Sequence, residues 1–184
     1  FEKKWDMYHC PLKAKQSGGY DVVMASGMLG YLLPQKIGDT EQKYIAELAD
    51  EKLWTDCVAS IESSLMTFVR HGIDLKVKEY MFTLMLADPS SPYSVMNDGY
   101  CGDGGIPGYI FGALVPSETT KTRIPVVLAH ETNHNVRFQY IKWSNEISLA
   151  EYMICEGLAE NFAVKLYGEE NLGPWVSKTD QEML

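Results

Sequence analysis

His130-Glu131-Thr132-Asn133-His134 is an HExxH pentapeptide inside an amphipathic segment. Residues four apart share one face of a helix, so both imidazoles can grip a single metal ion. The glutamate between them can reach a water placed at that ion. The spacing predicts a helix over residues 125–142, with Pro125 tolerated in its first turn. Val127, His130, Glu131, His134, Phe138 and Ile141 then share a face, which turns the histidines inward. Two of the chain's four histidines fall in this pattern. Chance would produce it on the order of once per hundred chains of this composition.

Zinc needs a third protein ligand and an open position. A second predicted helix, residues 149–167, supplies the ligand. Ser148 and Glu151 form a capping box at its start, and Gly168 stops it. Within it, Glu156-Gly157-Leu158-Ala159-Glu160 sets two carboxylates four apart on one face. The opposite face carries Ile154, Leu158, Phe162 and Leu166, so the helix is apolar nearly all round and is expected to be largely buried. Two like charges so placed repel, and burial without partners would cost several kcal/mol. A metal cation accounts for Glu156, and hydrogen bonding to a metal-ligating histidine accounts for Glu160. The bland alternative puts both acids on a solvated stripe. The connection over residues 142–148 is short enough for the two helices to pack together.

The segments Ala129-HETNH-Asn135-Val136-Arg137, Cys155-EGLAE-Asn161-Phe162-Ala163 and Gly173-Pro174-Trp175 resemble the YjaZ-like family of predicted Zn-dependent proteases, a domain family of unknown function. The resemblance covers residues 80–175. The ExxxE spacing is also similar to the glutamate-zincin pattern of thermolysin-like peptidases. The resemblance implies that His130, His134 and Glu156 hold one zinc ion, that Glu131 is the general base, and that Glu160 orients a histidine ligand. Where the family often has a histidine this chain has Asn133, which faces away from the ligand side.

Residues 41–70 carry apolar residues at helical spacing after an N-cap at Thr40, as one helix or as two joined near Asp50. Residues 80–87 read as a buried strand. The glycine-dense stretch 98–108 follows, where Asp98 and Asp103 faintly suggest a calcium loop without the spacing of an EF-hand. Residues 109–115 read as a second strand. Its place before the HExxH helix makes 108–115 a candidate edge for pairing with an extended substrate, or else an ordinary core strand. Residues 1–38, broken by glycines and Pro34, read as an N-terminal appendage to a domain of residues 39–184.

Of 184 residues, 46% are hydrophobic and 22% charged, which suits one globular domain. A chain that opens on Phe1 reads as a fragment. A net charge of −9, spread along the chain, argues against nucleic acid and anionic membrane as partners. Membrane insertion is not expected. Cys10, Cys57, Cys101 and Cys155 form no CxxC pair and are read as free thiols, which favours a cytoplasmic location. Arg137 is a candidate partner for Glu160. Tyr109, Tyr140 and Tyr167 are candidates to donate to a developing oxyanion.

The expected fold is α+β and zincin-like, a small mixed sheet packed on the HExxH and EGLAE helices. The expected function is hydrolysis of peptide bonds in a peptide or protein substrate by a zinc metallopeptidase. Two alternatives are a non-catalytic zinc-containing protein that binds peptides or regulates, and a metal-dependent hydrolase of a non-peptide amide.

Overall fold

The computed structural model describes residues 30–142 and 146–177. In chain order these form α1 (Asp39–Glu47), α2 (Glu51–Arg70), β1 (Met81–Leu86), α3 (Pro92–Met96), β2 (Tyr100–Ile106), β3 (Tyr109–Leu114), α4 (Glu118–Arg137), α5 (Leu149–Tyr167) and α6 (Pro174–Ser177), with 3-10 turns at Pro34–Lys36 and Glu169–Asn171.

Local chemistry sets most boundaries. The Ser117 hydroxyl accepts the Thr120 N–H at 3.1 Å, while the Thr120 hydroxyl accepts the Ser117 N–H at 2.9 Å. This reciprocal cap satisfies two donors that a helix start leaves orphaned. It starts α4 well before the expected residue 125 and leaves Pro125 inside the helix. There the missing N–H removes one ladder bond. The Pro125 carbonyl accepts the Ser60 hydroxyl of α2 at 2.5 Å. The helical stretch 41–70 divides in two at Asp50, whose carboxylate accepts the Lys52 N–H at 2.9 Å. The first of these helices is capped at Gly38, not at Thr40, because Glu41 reaches back to the Gly38 N–H at 2.9 Å. The Ser148–Glu151 box starts α5 as expected.

The sheet is small and mixed. Its order is β1-β3-β2, with β1 parallel and β2 antiparallel to β3. β3, which the sequence leaves as a candidate edge or an ordinary core strand, is the central strand, hydrogen-bonded on both sides. The edge next to α4 is β2, a strand the sequence reading left as a loop. One sheet face presents Leu84, Leu86, Ile110, Leu114 and Tyr100 to Ile124, Val127 and Leu128 of α4 and to Leu53, Cys57 and Ile61 of α2. Each such aliphatic side chain, fully buried, contributes about 1.5–3 kcal/mol. The other face gathers Met85, Ala87, Cys101, Phe111 and Ala113 around Tyr31.

Two glycines let β2 lie directly on α4. A Cβ at Gly102 would stand 2.5 Å from Glu131 Cγ, and one at Gly104 would collide with the Glu131 carbonyl oxygen. Helix α5 packs against α4 through Cys155, Ala159, Glu160 and Ala163. Contrary to the expectation of near-complete burial, its other side is open. Met153 is 58%, Ile154 57% and Leu158 48% exposed. Phe162 stacks on Phe68 of α2 at 4.7 Å.

The proposed appendage lies mostly outside the described residues. Tyr31 bridges to Ala87, and Leu32 donates its N–H to Leu86 at 2.7 Å. Among the described residues no helix is long and apolar enough to cross a membrane.

Candidate metal centre

Helix α4 carries His130 and His134 on its buried side, and α5 crosses it with Glu156 and Glu160. The two Nε2 atoms stand 3.0 Å apart. Glu156 Oε2 is 3.3 Å from His130 Nε2 and 3.5 Å from His134 Nε2. A tetrahedral zinc ion with bonds of about 2.0–2.2 Å sets its ligand atoms about 3.3–3.6 Å apart. The two Glu156–histidine separations fall in that range, and the histidine–histidine separation is 0.3 Å short of it. Among the described residues this is the one group of His, Cys, Asp and Glu side chains whose donor atoms converge enough to hold a metal. Asp98 and Asp103 form no such group, so the faint calcium reading has no support here.

Glu160 fixes His130 from behind. Its Oε2 accepts the His130 Nδ1–H at 3.1 Å, which leaves Nε2 free to offer its lone pair. The same carboxylate accepts the Gly173 N–H at 2.5 Å and the Trp175 Nε1–H at 3.2 Å. Trp175 also sets its ring edge-on to His130, with centroids 5.7 Å apart. Burial alone would raise the pKa of Glu160, but His130 and these donors hold it below the ordinary value. The segment after α5 thus closes back on the site.

Charges at the centre are strongly coupled. Burial would lower the pKa of His130, yet Glu156 and Glu160 raise it to about 9. Burial also opposes protonation of His134, but Cys155 and Glu156 raise it to about 10. Glu156 resists the upward push of burial and falls to about 2 because both histidines face it. Glu131 goes the other way. Burial lifts its carboxyl to about 7, with the histidines opposing the shift.

Several neighbours escaped the sequence reading. Asn135 is fully buried. Its Oδ1 accepts the Gly108 N–H at 2.9 Å, and its Nδ2 donates to the carbonyls of Gly104, Ile106 and Tyr109 at 3.0, 2.8 and 2.8 Å. It ties the β2–β3 turn to α4. The available signal was its spacing of four from Glu131, which puts the two on one stripe. Cys155 is buried and faces the centre. Its Sγ lies 3.4 Å from His134 Nδ1. Tyr93 and Tyr152 sit in the field of Glu131 and Glu156. Burial first, and then those charges, raise both phenols above their ordinary value.

The Tyr140 hydroxyl donates to the Asp74 carbonyl, and Lys76 Nζ lies 4.0 Å from its ring centroid. Tyr167 packs with Val126, Ala129 and Ala163. Tyr109 packs with the cluster around Phe111. Arg137 makes no ion pair with an acid among the described residues, and Glu160 takes His130, Gly173 and Trp175 instead. Cys57, Cys101 and Cys155 are buried, and Cys10 lies outside the described residues.

No solved structure matches the chain. It is 40% identical over 185 residues to "Uncharacterized protein YjfC" of Bacillus subtilis (strain 168), an alignment covering 100% of this chain and 61% of that protein. The chain thus spans about three fifths of that relative's length. The family model described as "Predicted Zn-dependent protease (DUF2268)" matches residues 53–184, starting within α2 and so upstream of the stretch where the motifs are legible. The match spans both HETNH and EGLAE, and the chain belongs to the family of predicted Zn-dependent proteases.

Proposed function

We propose that the chain is the catalytic domain of a zinc metallopeptidase of glutamate-zincin type. The observation that carries this reading is the convergence of His130 Nε2, His134 Nε2 and Glu156 Oε2, 3.0–3.5 Å apart, beside a buried Glu131. Those three residues would hold one zinc ion. When bound, zinc supplies a Lewis acid that acidifies water and polarises a peptide carbonyl.

Glu131 is the general base. Burial raises its carboxyl above the ordinary value in the metal-free protein, and the charge of a bound cation would draw it back toward the ionised form that a base needs. It takes a proton from the attacking water and delivers it to the departing amine nitrogen. Tyr93 and Tyr152, whose raised phenols stay protonated, are the candidates to donate to the oxygen that gains charge. Tyr109, Tyr140 and Tyr167 remain candidates for the same role.

An extended peptide pairs with β2. Its outer edge has no partner strand among the described residues, and Gly102 and Gly104 bring its backbone onto Glu131.

Metal analysis of protein purified without chelator tests the site. The expected content is about one zinc per chain, falling to background in Glu156→Ala. Equal zinc in the wild type and that variant would reject the ligand set.

A further inference from the structure

We propose that Cys155 is a positioning residue of the metal centre, whose sulfur holds the second ring nitrogen of His134 and so turns Nε2 toward His130 and Glu156. This rests on the reading of His130, His134 and Glu156 as zinc ligands. Cys155 Sγ and His134 Nδ1 are 3.4 Å apart, and both residues are buried. An imidazole that offers its Nε2 lone pair to a cation carries its proton on Nδ1. That N–H is shut away from water, so it needs an acceptor inside the protein. The sulfur is the acceptor that the structure places there.

The two histidines are therefore oriented by different chemistry. His130 donates to the carboxylate of Glu160 at 3.1 Å, and His134 donates to a thiol. The centre already holds the carboxylates of Glu131, Glu156 and Glu160. A thiol is a weaker acceptor than a carboxylate, but it adds no fourth full negative charge. Phe138 stacks on the His134 ring with centroids 5.9 Å apart, leaving the hydrogen bond to set rotation in the ring plane. Cys155 immediately precedes Glu156, so one turn of α5 delivers both a ligand and the support of another ligand.

The test is zinc affinity, by competition with a chromogenic chelator, in Cys155→Ser, Cys155→Val and Cys155→Ala. Serine keeps a hydrogen-bond acceptor, whereas valine keeps apolar volume and loses it. The expected result is a loss of about 10–100-fold in Val and Ala, with Ser within about threefold of the wild type. A purely packing role would reverse the order, with Val tolerated and Ser not. That reversal, or three variants equal to the wild type, would overturn the proposal. Thermal unfolding of the zinc-free proteins identifies any variant that fails to fold, and Ala then stands in for Val. A wild type that takes up no zinc would overturn the ligand set and this role together. Zinc in the wild type with Val tighter than Ser would overturn only the role of Cys155.

Discussion

The side chain of Asn135 holds the backbone of Gly108, its Oδ1 accepting that N–H at 2.9 Å while its amide serves three further carbonyls of the β2–β3 turn. One residue beyond the HExxH motif thus sets the distance between the edge strand and Glu131. Asn135→Ala removes the acceptor of the buried Gly108 N–H and a donor shared among the turn carbonyls, so it should cost about 2–4 kcal/mol in urea unfolding. Asn135→Asp should be no better, since it points a carboxylate at carbonyl oxygens. A loss under about 0.5 kcal/mol for the alanine variant would contradict this account.

Gly104 and Gly157 should respond oppositely to alanine. At Gly104 the added methyl meets the Glu131 backbone, and the expected cost is about 3 kcal/mol or more. That corresponds to a fall of roughly 6–12 °C in Tm. Gly157 is exposed within α5 and has open space at its Cβ position. Gly157→Ala should gain about 0.5–1 kcal/mol by helix propensity. Scanning calorimetry distinguishes the two, and a stabilising Gly104→Ala would place β2 elsewhere.

Glu160→Gln should weaken zinc by about 10–100-fold without abolishing it, because His130 loses a charged acceptor but keeps its own ligand atom. Glu156→Ala should be the more severe change. Chelator competition reads both, and equal effects would remove the distinction between ligand and support.

The sign of the pH dependence follows from the coupled groups. In zinc-free protein, His130 and His134 are raised to about 9 and 10 and Glu131 to about 7, against ordinary values of 6.5 and 4.5. A raised pKa gives stability that is complete below the unfolded value and lost as pH rises through the folded one. Glu156, lowered to about 2, adds stability above 4.5 that is lost only as pH falls toward 2. The zinc-free protein should therefore lose thermal stability between about pH 4.5 and 10, through Glu131 at the lower end and the histidines at the upper. Zinc affinity should climb over the upper part of that window, because up to about two protons must leave the histidines. Calorimetry in two buffers of different ionisation heat counts those protons, and zinc uptake without proton release would contradict the pairing.

The sequence exposed the centre better than the frame around it. HETNH and EGLAE were legible because helical spacing converts directly into shared faces, and the Ser148–Glu151 box places the start of α5. β2 was not, since Gly102, Gly104 and Gly105 carry no side chains to display a strand's alternation. With β2 hidden, the sequence leaves β3 open as either an edge or a core strand. The start of α4 was hidden because Pro125 reads as a first-turn residue, while the Ser117–Thr120 cap lacks the usual Glu or Gln. Tyr93 and Cys155 could not be placed, because their relation to the centre depends on how α3 and α5 pack and not on spacing within either helix.

The central claim is that Glu131 transfers the proton in hydrolysis. The most direct measurement is cleavage of a peptide library by the wild type and Glu131→Gln, with the zinc content of both determined on the same samples. The account predicts equal zinc and a fall in turnover of at least about 100-fold in the glutamine variant. Equal zinc with unchanged turnover would contradict it.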